Sequence, residues 1–435
     1  SSGTALCKDI TINSGASVTV NSGNDLTIYG NWLNNGSSEL GEGTVILAGN
    51  GTQNISGVSN FENLTLNNSA GANLNGNTGV KGVLTLTQGT LVSGGLLTLL
   101  SSSGKTALIS GAGSGSVSGN ATMQRYMPNR RGYHYYSSPF NGALVSEFAN
   151  EIGTIITGDP YVGNDTTHTV TPFPNFYIYN ETKTSPTISI GWDAPSNTLE
   201  TMKGYCINFG ATTAPLTTDI TGGAFNSGSF NINVTNTSSG HAWADGWNLV
   251  GNPYPSPIDW NASSGWNKLN IVNSVYFFNP TAQYTGTYSS FAGGIGVPGE
   301  IDGIIPSMQG FFVKATAAGT LGVTNDVRVN AQPTFYKSTT VSSNPLLRLK
   351  GYPSSNQATG DETVIYFEPQ ATNTFDGNFD AYKFMNNDPA YPNLFTSYNG
   401  SSSLSINALP PLSNSDVVVP LGYITRTNGS FTINA

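Results

Sequence analysis

This chain of 435 residues is 37% hydrophobic and 11% aromatic, which is enough apolar material for packed cores and excludes a disordered polymer. Only 9% of the residues are charged, the formal net charge is −9, and no basic cluster is larger than Arg130-Arg131, so nucleic acid is excluded as a partner. No run approaches the roughly 18 apolar residues that a membrane span needs, and the helix formers Lys, Glu and Arg are scarce.

The composition therefore predicts an all-β chain, and its changes along the sequence divide the chain into three parts. Residues 1–125 are rich in Asn, Gly and Ser. Residues 126–330 are rich in aromatic residues and Pro, and residues 331–435 form a further block of strands. We predict an N-terminal parallel β-solenoid (a β-helix) followed by two antiparallel β-sandwich-like domains.

The solenoid prediction rests on short runs that alternate apolar and polar residues. Turn clusters such as Asn13-Ser14-Gly15 separate these runs and leave no room for crossover helices. Strict alternation marks a strand with one buried face, and stacking coil on coil buries that face economically. The leucines expected inside the stack are Leu64, Leu66, Leu84, Leu86, Leu97 and Leu99.

In the central and third parts, the sequence predicts longer strands between Pro- and Gly-rich loops. Aromatic strands such as Phe176-Tyr177-Ile178-Tyr179 are typical of an antiparallel sandwich, and one short helix is predicted within Leu144 to Ile156. The third part is predicted to be a second sandwich that leads into a further C-terminal region. The first residues, Ser1-Ser2-Gly3, indicate a mature form or an excised piece.

Several phrases of the sequence resemble those of large secreted proteins of Bacteroidota. One runs from Gly246 to Trp260 and contains Trp-Asn-Leu-Val-Gly-Asn-Pro-Tyr-Pro, and another runs from Ile305 to Ala315. In the third part, Phe379 to Lys383, Leu404 to Pro410 and Val419 to Tyr423 resemble the region before the sorting signal of type IX secretion cargo.

The resemblance implies export by the type IX secretion machinery and an extracellular or outer-membrane cell-surface location. Many proteins of this kind are adhesin-like, and they share no single biochemical activity. Surface glycans or other cell-surface proteins are the partners that the resemblance suggests.

Acidic residues offer no recognisable catalytic pair. Glu300 and Asp302 are two residues apart, and Asp245 and Asp259 flank the Trp/Pro phrase, but the sequence sets neither pair at strand ends. Glycosidases need two carboxyl groups about 5–10 Å apart, and polysaccharide lyases on solenoids need clustered carboxylates. We therefore assign no catalytic residues and predict that the chain is not an enzyme, with glycoside hydrolysis or lyase activity as the alternative.

The metal and thiol signals are weak. His134, His168 and His241 are isolated, and the two cysteines, Cys7 and Cys206, are predicted to be separate buried thiols rather than a long-range disulfide. No cofactor is predicted.

Calcium is the metal that one segment suggests. The run Asp376-Gly377-Asn378-Phe379-Asp380 begins like a calcium loop, but Ala381 replaces the required Gly, so an Asx-turn loop is favoured.

Two features remain as candidate sites. Aromatic rings cluster around the Trp/Pro phrase, and they either stack on sugars in a glycan-binding site or pin loops onto a core, which is the favoured alternative. These rings are Trp243, Trp247, Tyr254, Trp260 and Trp266. Thr166, in Asp165-Thr166-Thr167, resembles a bacterial O-glycosylation acceptor, with a plain polar loop as the alternative.

Together these observations predict a non-enzymatic secreted or cell-surface protein of the adhesin type. The alternative is an extracellular carbohydrate-binding or carbohydrate-active protein. Exposed tryptophans in a groove would favour the alternative, and buried ones would favour the adhesin or scaffold.

Overall fold

A computed structural model describes residues 3–163, 165–183, 187–241, 243–331, 344–398, 400, 402–413 and 416–435. It is 46% strand and only 4% helix, which confirms the all-β prediction. No helix among the described residues is long and apolar enough to cross a membrane.

The first part is a parallel β-solenoid of about 6 turns, as predicted. Its strands are β1 (Thr4–Cys7), β2 (Ile10–Ile12), β3 (Asp25–Ile28), β4 (Trp32–Asn34), β5 (Thr44–Leu47), β6 (Gln53–Gly57), β7 (Ser59–Phe61), β8 (Asn63–Asn67), β9 (Ala72–Leu74), β10 (Thr78–Val80), β11 (Val83–Gln88), β12 (Thr90–Val92), β13 (Leu97–Leu99), β14 (Leu108–Ile109), β15 (Ser116–Ser118) and β16 (Ala121–Met127).

These strands stack into three parallel sheets that enclose one core. The first sheet has the order β1-β3-β5-β8-β11-β14, the second β2-β4-β6-β9-β12-β15, and β7, β10, β13 and β16 form the third. Within the first sheet Leu26, Val45, Leu64 and Leu84 are successive register partners, so like side chains lie directly above one another. All of the predicted core leucines are at most 5% exposed, which confirms their inward orientation.

The corners of the coils hold buried amides that the alternation pattern did not predict. The Asn34 amide donates to the carbonyl of Val58 at 2.8 Å, and the Gln53 amide donates to that of Ile28 at 3.0 Å. Asn68 donates in turn to the Gln53 side-chain oxygen at 3.0 Å. Because a buried backbone carbonyl without a partner is costly, these amides let the chain turn inside the stack.

The central part contains strands in several antiparallel sheets. They are β17 (Tyr133–Tyr136), β18 (Tyr161–Val162), β19 (Asp165–Thr169), β20 (Phe176–Tyr179), β21 (Trp192–Asp193), β22 (Tyr205–Asn208), β23 (Leu216–Gly222), β24 (Phe230–Val234), β25 (Trp247–Gly251), β26 (Ile258–Asp259), β27 (Trp266–Ile271), β28 (Ser274–Pro280), β29 (Gly286–Ala292), β30 (Ile295–Val297), β31 (Ile304–Ile305) and β32 (Gly310–Val323). One sheet has the order β17-β22-β20-β21, and a larger one is built around β32, which pairs with β24, β25, β27 and β28.

Among the described residues, helical structure is confined to short segments. The predicted helix is present as a 3₁₀ turn, Val145–Phe148, followed by the single turn α1 (Ala149–Ile152). The other 3₁₀ turns are Ile188–Gly191, Asn325–Val327 and Gln357–Thr359.

The solenoid continues into the central part without a break in hydrogen bonding. Strand β16 closes the third solenoid sheet on one side and pairs antiparallel with β23 on the other, from Ala121 opposite Gly222 to Met127 opposite Leu216. The solenoid core also runs on into Tyr136 and other aromatic residues of the central part.

A second joint lies at the next solenoid corner. Ile109 donates its N–H to the carbonyl of Pro255 at 2.9 Å, and Arg328 donates to the carbonyl of Ile109 at 2.6 Å.

The third part forms one further sheet. Its strands are β33 (Leu346–Pro353), β34 (Asp361–Phe367), β35 (Ala381–Tyr382), β36 (Asn393–Tyr398), β37 (Ser402–Leu409), β38 (Leu421–Ile424) and β39 (Phe431–Asn434). The pairs are antiparallel except β34 with β37, which is parallel. Val364, Tyr366 and Ile406 pack in the same core as Tyr276 and Phe312, so this sheet covers the central one.

Candidate binding site

The aromatic rings around the Trp/Pro phrase do not form the predicted glycan-stacking platform. Trp247 is 3% exposed, and Tyr254 and Trp260 are fully buried. Trp266 is half-buried and packs edge-on against Trp260, with ring centroids 4.8 Å apart. Only Trp243, at 59%, presents a largely exposed ring. The favoured alternative, rings that pin loops onto a core, describes the other four.

The phrase has a structural role instead, centred on Asn252. This fully buried amide donates to the carbonyls of Ser256 at 2.9 Å and Pro306 at 2.9 Å, and its oxygen accepts from the N–H of Tyr254 at 2.9 Å. Strand β25 also pairs with the start of β32. The two recognised phrases therefore fold against each other as one unit.

A concentration of aromatic side chains elsewhere lines a pocket, which we call the aromatic pocket. Its volume is about 280 Å³, and it lies where the β17 sheet, the β18–β19 hairpin, the β28–β29 pair and the third part meet. Its lining residues are Tyr133, Tyr135, Pro160, Tyr161, Phe173, Tyr177, Tyr179, Ile188, Ser189, Trp192, Cys206, Phe278, Tyr284, Tyr288, Phe312, Phe384, Met385 and Asn387.

The rings of the aromatic pocket support one another. Trp192 packs against Tyr177 with ring centroids 6.0 Å apart, and edge-on against Tyr179 at 5.3 Å. The hydroxyl of Tyr179 donates to the carbonyl of Ile188 at 3.0 Å. Burial raises the pKa of Tyr177 and Tyr179, so their hydroxyls stay neutral at physiological pH. The pocket thus offers fixed, uncharged ring surfaces.

A second depression, the polar cleft, adjoins the aromatic pocket. It has a volume of about 450 Å³, and Phe173 and Tyr284 line both spaces. Their rings meet edge-on with centroids 6.4 Å apart, and Tyr284 is 55% exposed. The cleft is lined by Arg130, Glu151, Ile152, Gly153, Phe173, Pro174, Asn175, Asn208, Phe209, Gly210, Gln283 and Tyr284.

The charged groups of the polar cleft have unused hydrogen-bonding capacity. The Nε of Arg130 and the Oε2 of Glu151 are buried atoms that have no hydrogen-bond partner within the described residues. Burial raises the pKa of the Glu151 carboxyl, and the nearby Asp219 and Glu147 add to this effect. Because Arg130 and Glu151 both line the cleft, it presents a donor and an acceptor side chain and is suited to a ligand with both donors and acceptors.

The acidic residues that the sequence singled out mostly accept hydrogen bonds from groups within their own loops. An oxygen of Asp302 accepts from the N–H of Ile304 at 2.9 Å, and one of Asp259 accepts from that of Asn261 at 2.8 Å. Asp245 is buried and accepts from the Ser239 hydroxyl at 2.6 Å.

The histidines lie in three unrelated settings. His134 is buried beside Phe209, with ring centroids 5.6 Å apart, and burial lowers its pKa to about 4. His168 is exposed and contacts Asp165, and His241 lies near Trp243. Among the described residues, no group of three or more His, Cys, Asp and Glu side chains is placed to hold a metal ion.

Both cysteines are free thiols, but only one is buried as predicted. Cys206 is 2% exposed, and its burial raises its pKa. Cys7 is only half-buried, because β1 is the end strand of its sheet and β3 alone pairs with it.

The calcium-like segment folds as a hydrogen-bonded loop. One Asp380 oxygen accepts from the N–H of Ala408 at 2.7 Å, and the other accepts from that of Asp376 at 2.6 Å. Asp376 accepts from the N–H of Thr372 at 2.5 Å. Both oxygens of Asp380 thus already bind backbone N–H groups, and burial raises the pKa of this carboxyl to about 7.

Thr166 lies on β19, where it is exposed as an acceptor would have to be. The neighbouring Asp165 accepts from both the N–H and the hydroxyl of Thr167, at 2.9 and 2.7 Å. Modification of Thr166 stays a prediction.

The aromatic pocket was missed because its residues come from eight strands, four loops and a 3₁₀ turn. A local signal existed. In Tyr133-His134-Tyr135-Tyr136 the first and third residues line the pocket, and the same holds for Tyr177 and Tyr179 in β20. Period-two spacing of aromatic residues on two strands identifies rings on one face, but it does not show that the two strands are neighbours.

The chain belongs to the family of a domain of unknown function, DUF8693, which it matches over residues 29–435. Comparisons with curated proteins and with solved structures found no match. The match begins within the solenoid, so the family unit includes most of the solenoid together with both sheet-containing parts.

Proposed function

We propose that this chain is a non-enzymatic, adhesin-like extracellular protein that is exported by type IX secretion and acts at the cell surface. In this proposal the solenoid is a rigid spacer, and the sheet-containing parts form the head that meets a partner. Surface glycans or cell-surface proteins are the partners.

The observation that carries the proposal is the unbroken joint between spacer and head. The ladder of β16 with β23 and the shared core leave no flexible linker between the solenoid and the central part. A continuous, stacked body holds a binding head at a fixed distance and orientation, as an adhesin or a surface scaffold requires. The resemblance of the sequence phrases to type IX cargo supports the route of export.

The second candidate is an extracellular carbohydrate-binding protein. The aromatic pocket favours it, because Tyr and Trp rings with an apolar surface and a polar edge suit the faces of sugar rings. The rings that support this candidate are those around Trp192, and not the buried ones of the Trp/Pro phrase.

Export can be tested in the native host. We expect the protein in the medium or on the outer surface of cells with an intact type IX system, and in the periplasm of cells without it. An unchanged distribution in the two strains would contradict the proposed route.

The absence of catalysis can be tested with the purified full chain and a panel of polysaccharides, with and without Ca²⁺. We expect no release of reducing ends or unsaturated products. Product release that is lost in Glu300→Gln or Asp302→Asn, with the fold retained, would overturn the non-enzymatic assignment.

Adhesion can be tested with beads that carry the full chain, in flow over surfaces coated with polysaccharides or with outer-membrane proteins. Retention above that of albumin-coated beads is expected on at least one surface. Equal retention on every surface would refute the adhesin role.

A further inference from the structure

We propose that the aromatic pocket and the polar cleft are two subsites of one site, which binds a neutral oligosaccharide of at least two pyranose rings. This inference rests on the second candidate function and specifies its ligand. The first step of the argument is adjacency. Phe173 and Tyr284 line both spaces, so a ligand that fills the pocket and extends past this ring pair enters the cleft.

The pocket is suited to one sugar ring. Its volume of about 280 Å³ lies just below the range of about 300–1,000 Å³ that is usual for small-molecule sites. Trp192 and Tyr161 are half-buried in its wall, so part of each ring remains accessible. Ser189 and Asn387 add polar groups at its edge.

The cleft supplies the hydrogen bonds that a second sugar needs. A sugar hydroxyl both donates and accepts, so neighbouring hydroxyls can pair with the guanidinium of Arg130 and the carboxyl of Glu151, two half-buried side chains that line the cleft. An entirely apolar ligand would displace water from both charged side chains without replacing its hydrogen bonds, at a cost in binding energy. These two groups are the reason that we prefer an oligosaccharide to a lipid or an aromatic metabolite.

The charge of the site argues for a neutral sugar. Glu151 faces the cleft, and the chain has a net charge of −9. Uronic acid or sulfated chains would bring further negative charge to a half-buried carboxylate, which is unfavourable. A neutral chain avoids this repulsion and still pairs with the guanidinium.

The proposal is tested by calorimetric titration of the full chain with cellotetraose, mannotetraose and chitotetraose, and with tetragalacturonate as the acidic probe. We expect at least one neutral tetrasaccharide to bind, and its disaccharide to bind at least tenfold more tightly than its monosaccharide. Equal affinity for the monosaccharide and the disaccharide would refute the two-subsite arrangement. Preferential binding of tetragalacturonate would refute the neutral class.

Variants locate the site. Tyr284→Ala should weaken binding about tenfold or more, and Glu151→Gln about fivefold, because each changes one wall of the site without opening the core. Trp243→Ala is the matched control for an exposed ring outside the site, and Glu42→Gln is the control for an exposed carboxylate on the solenoid. Both controls should bind like the parent chain.

The outcomes separate this inference from the adhesin proposal. Glycan binding that survives Tyr284→Ala and Phe173→Ala, in variants with unchanged melting, would place the site elsewhere and refute the inference. No binding of any neutral probe would also refute it, while retention of beads on protein-coated surfaces would leave the adhesin role standing. Cleavage of a probe would refute the non-enzymatic assignment as well.

Discussion

The solenoid and the central part bury their interiors by different means. In the solenoid, one position of the repeat holds the same kind of side chain in coil after coil, as Leu26, Val45 and Leu64 do. In the central part, single residues join segments that are far apart, as Asn252 joins its own loop to Pro306. The first interior is mainly aliphatic and repeats from coil to coil, with buried amides at its corners, whereas the second is mainly aromatic and is joined by single residues such as Asn252.

The difference suggests how each region responds to damage. Each solenoid coil contacts mainly its neighbours, so a defect should stay close to the coil that carries it. A residue of the central part that bonds to several segments, as Asn252 does, is called a hub. A substitution at such a hub removes contacts from several strands together. The two regions share a core at β16 and Tyr136. A defect at this joint should therefore affect both the adjacent coil and the central part.

The largest expected effect is in the aromatic interior. Trp260→Ala should lower the free energy of unfolding by about 4 kcal/mol, because this ring is fully buried against Trp266 and Phe311. Trp243→Ala, which removes an exposed ring, should change it by less than about 0.5 kcal/mol. Denaturant unfolding followed by fluorescence and by circular dichroism measures both. Equal effects of the two variants would contradict the packing described here.

A single leucine tests the redundancy of the solenoid. Leu66→Ala should cost about 3 kcal/mol, since it opens a cavity between stacked coils. Amide hydrogen exchange should show that protection is lost mainly in β5, β8 and β11. Leu33→Ala, at an exposed position of β4, is the control. Loss of protection across the whole chain would show that the coils do not respond locally.

The hub at Asn252 can be removed without opening a cavity as large as that of Leu66→Ala. Asn252→Ala should cost about 2 kcal/mol, because it leaves buried carbonyls without donors. Loss of protection is expected in both recognised phrases, on β25 and at the start of β32. Asn261→Ala, at an exposed position near the same loop, should have little effect. A response confined to the substituted loop would refute the role of Asn252 as a hub.

The last expected effect is spread over a range of pH. Burial lowers the pKa of His134 to about 4 in the folded chain, below the ordinary value of 6.5. Between these values the unfolded chain binds a proton that the native chain does not, so the contribution of His134 to stability should fall by roughly 1 kcal/mol per pH unit as pH decreases from 6.5 to 4. Asp380, with its pKa raised to about 7, contributes in the opposite direction over this range.

Denaturant unfolding at several pH values measures this slope. The slope in His134→Phe should differ from that in the parent chain by the contribution of His134, whereas His241→Gln should have the parent slope. Equal slopes in His134→Phe and the parent chain would assign the effect to other groups.

The sequence predicts the solenoid well because its signal is local. The alternation and short turns around Leu64 and Leu84 appear within single coils, and stacking is an economical way to bury these side chains. The Trp/Pro phrase was harder to interpret, since Trp247 and Trp260 have the same composition whether they face solvent or a core. The aromatic pocket could not be predicted, because Trp192, Tyr284 and Phe384 meet only through the order of strands in three sheets.

The joint between solenoid and head also has a mechanical consequence. Hydrogen bonds between coils run along the stack, so tension along that axis is carried by three backbone ladders side by side. In the part of the chain that the structure describes, only the third ladder continues beyond the last coil, through β16 and β23. The first sheet is joined to the central part by the Ile109–Pro255 bond and by Arg328. Under shear flow the central part would therefore bend about β16, and the hydrogen bonds of Arg328 on the opposite side would resist this bending.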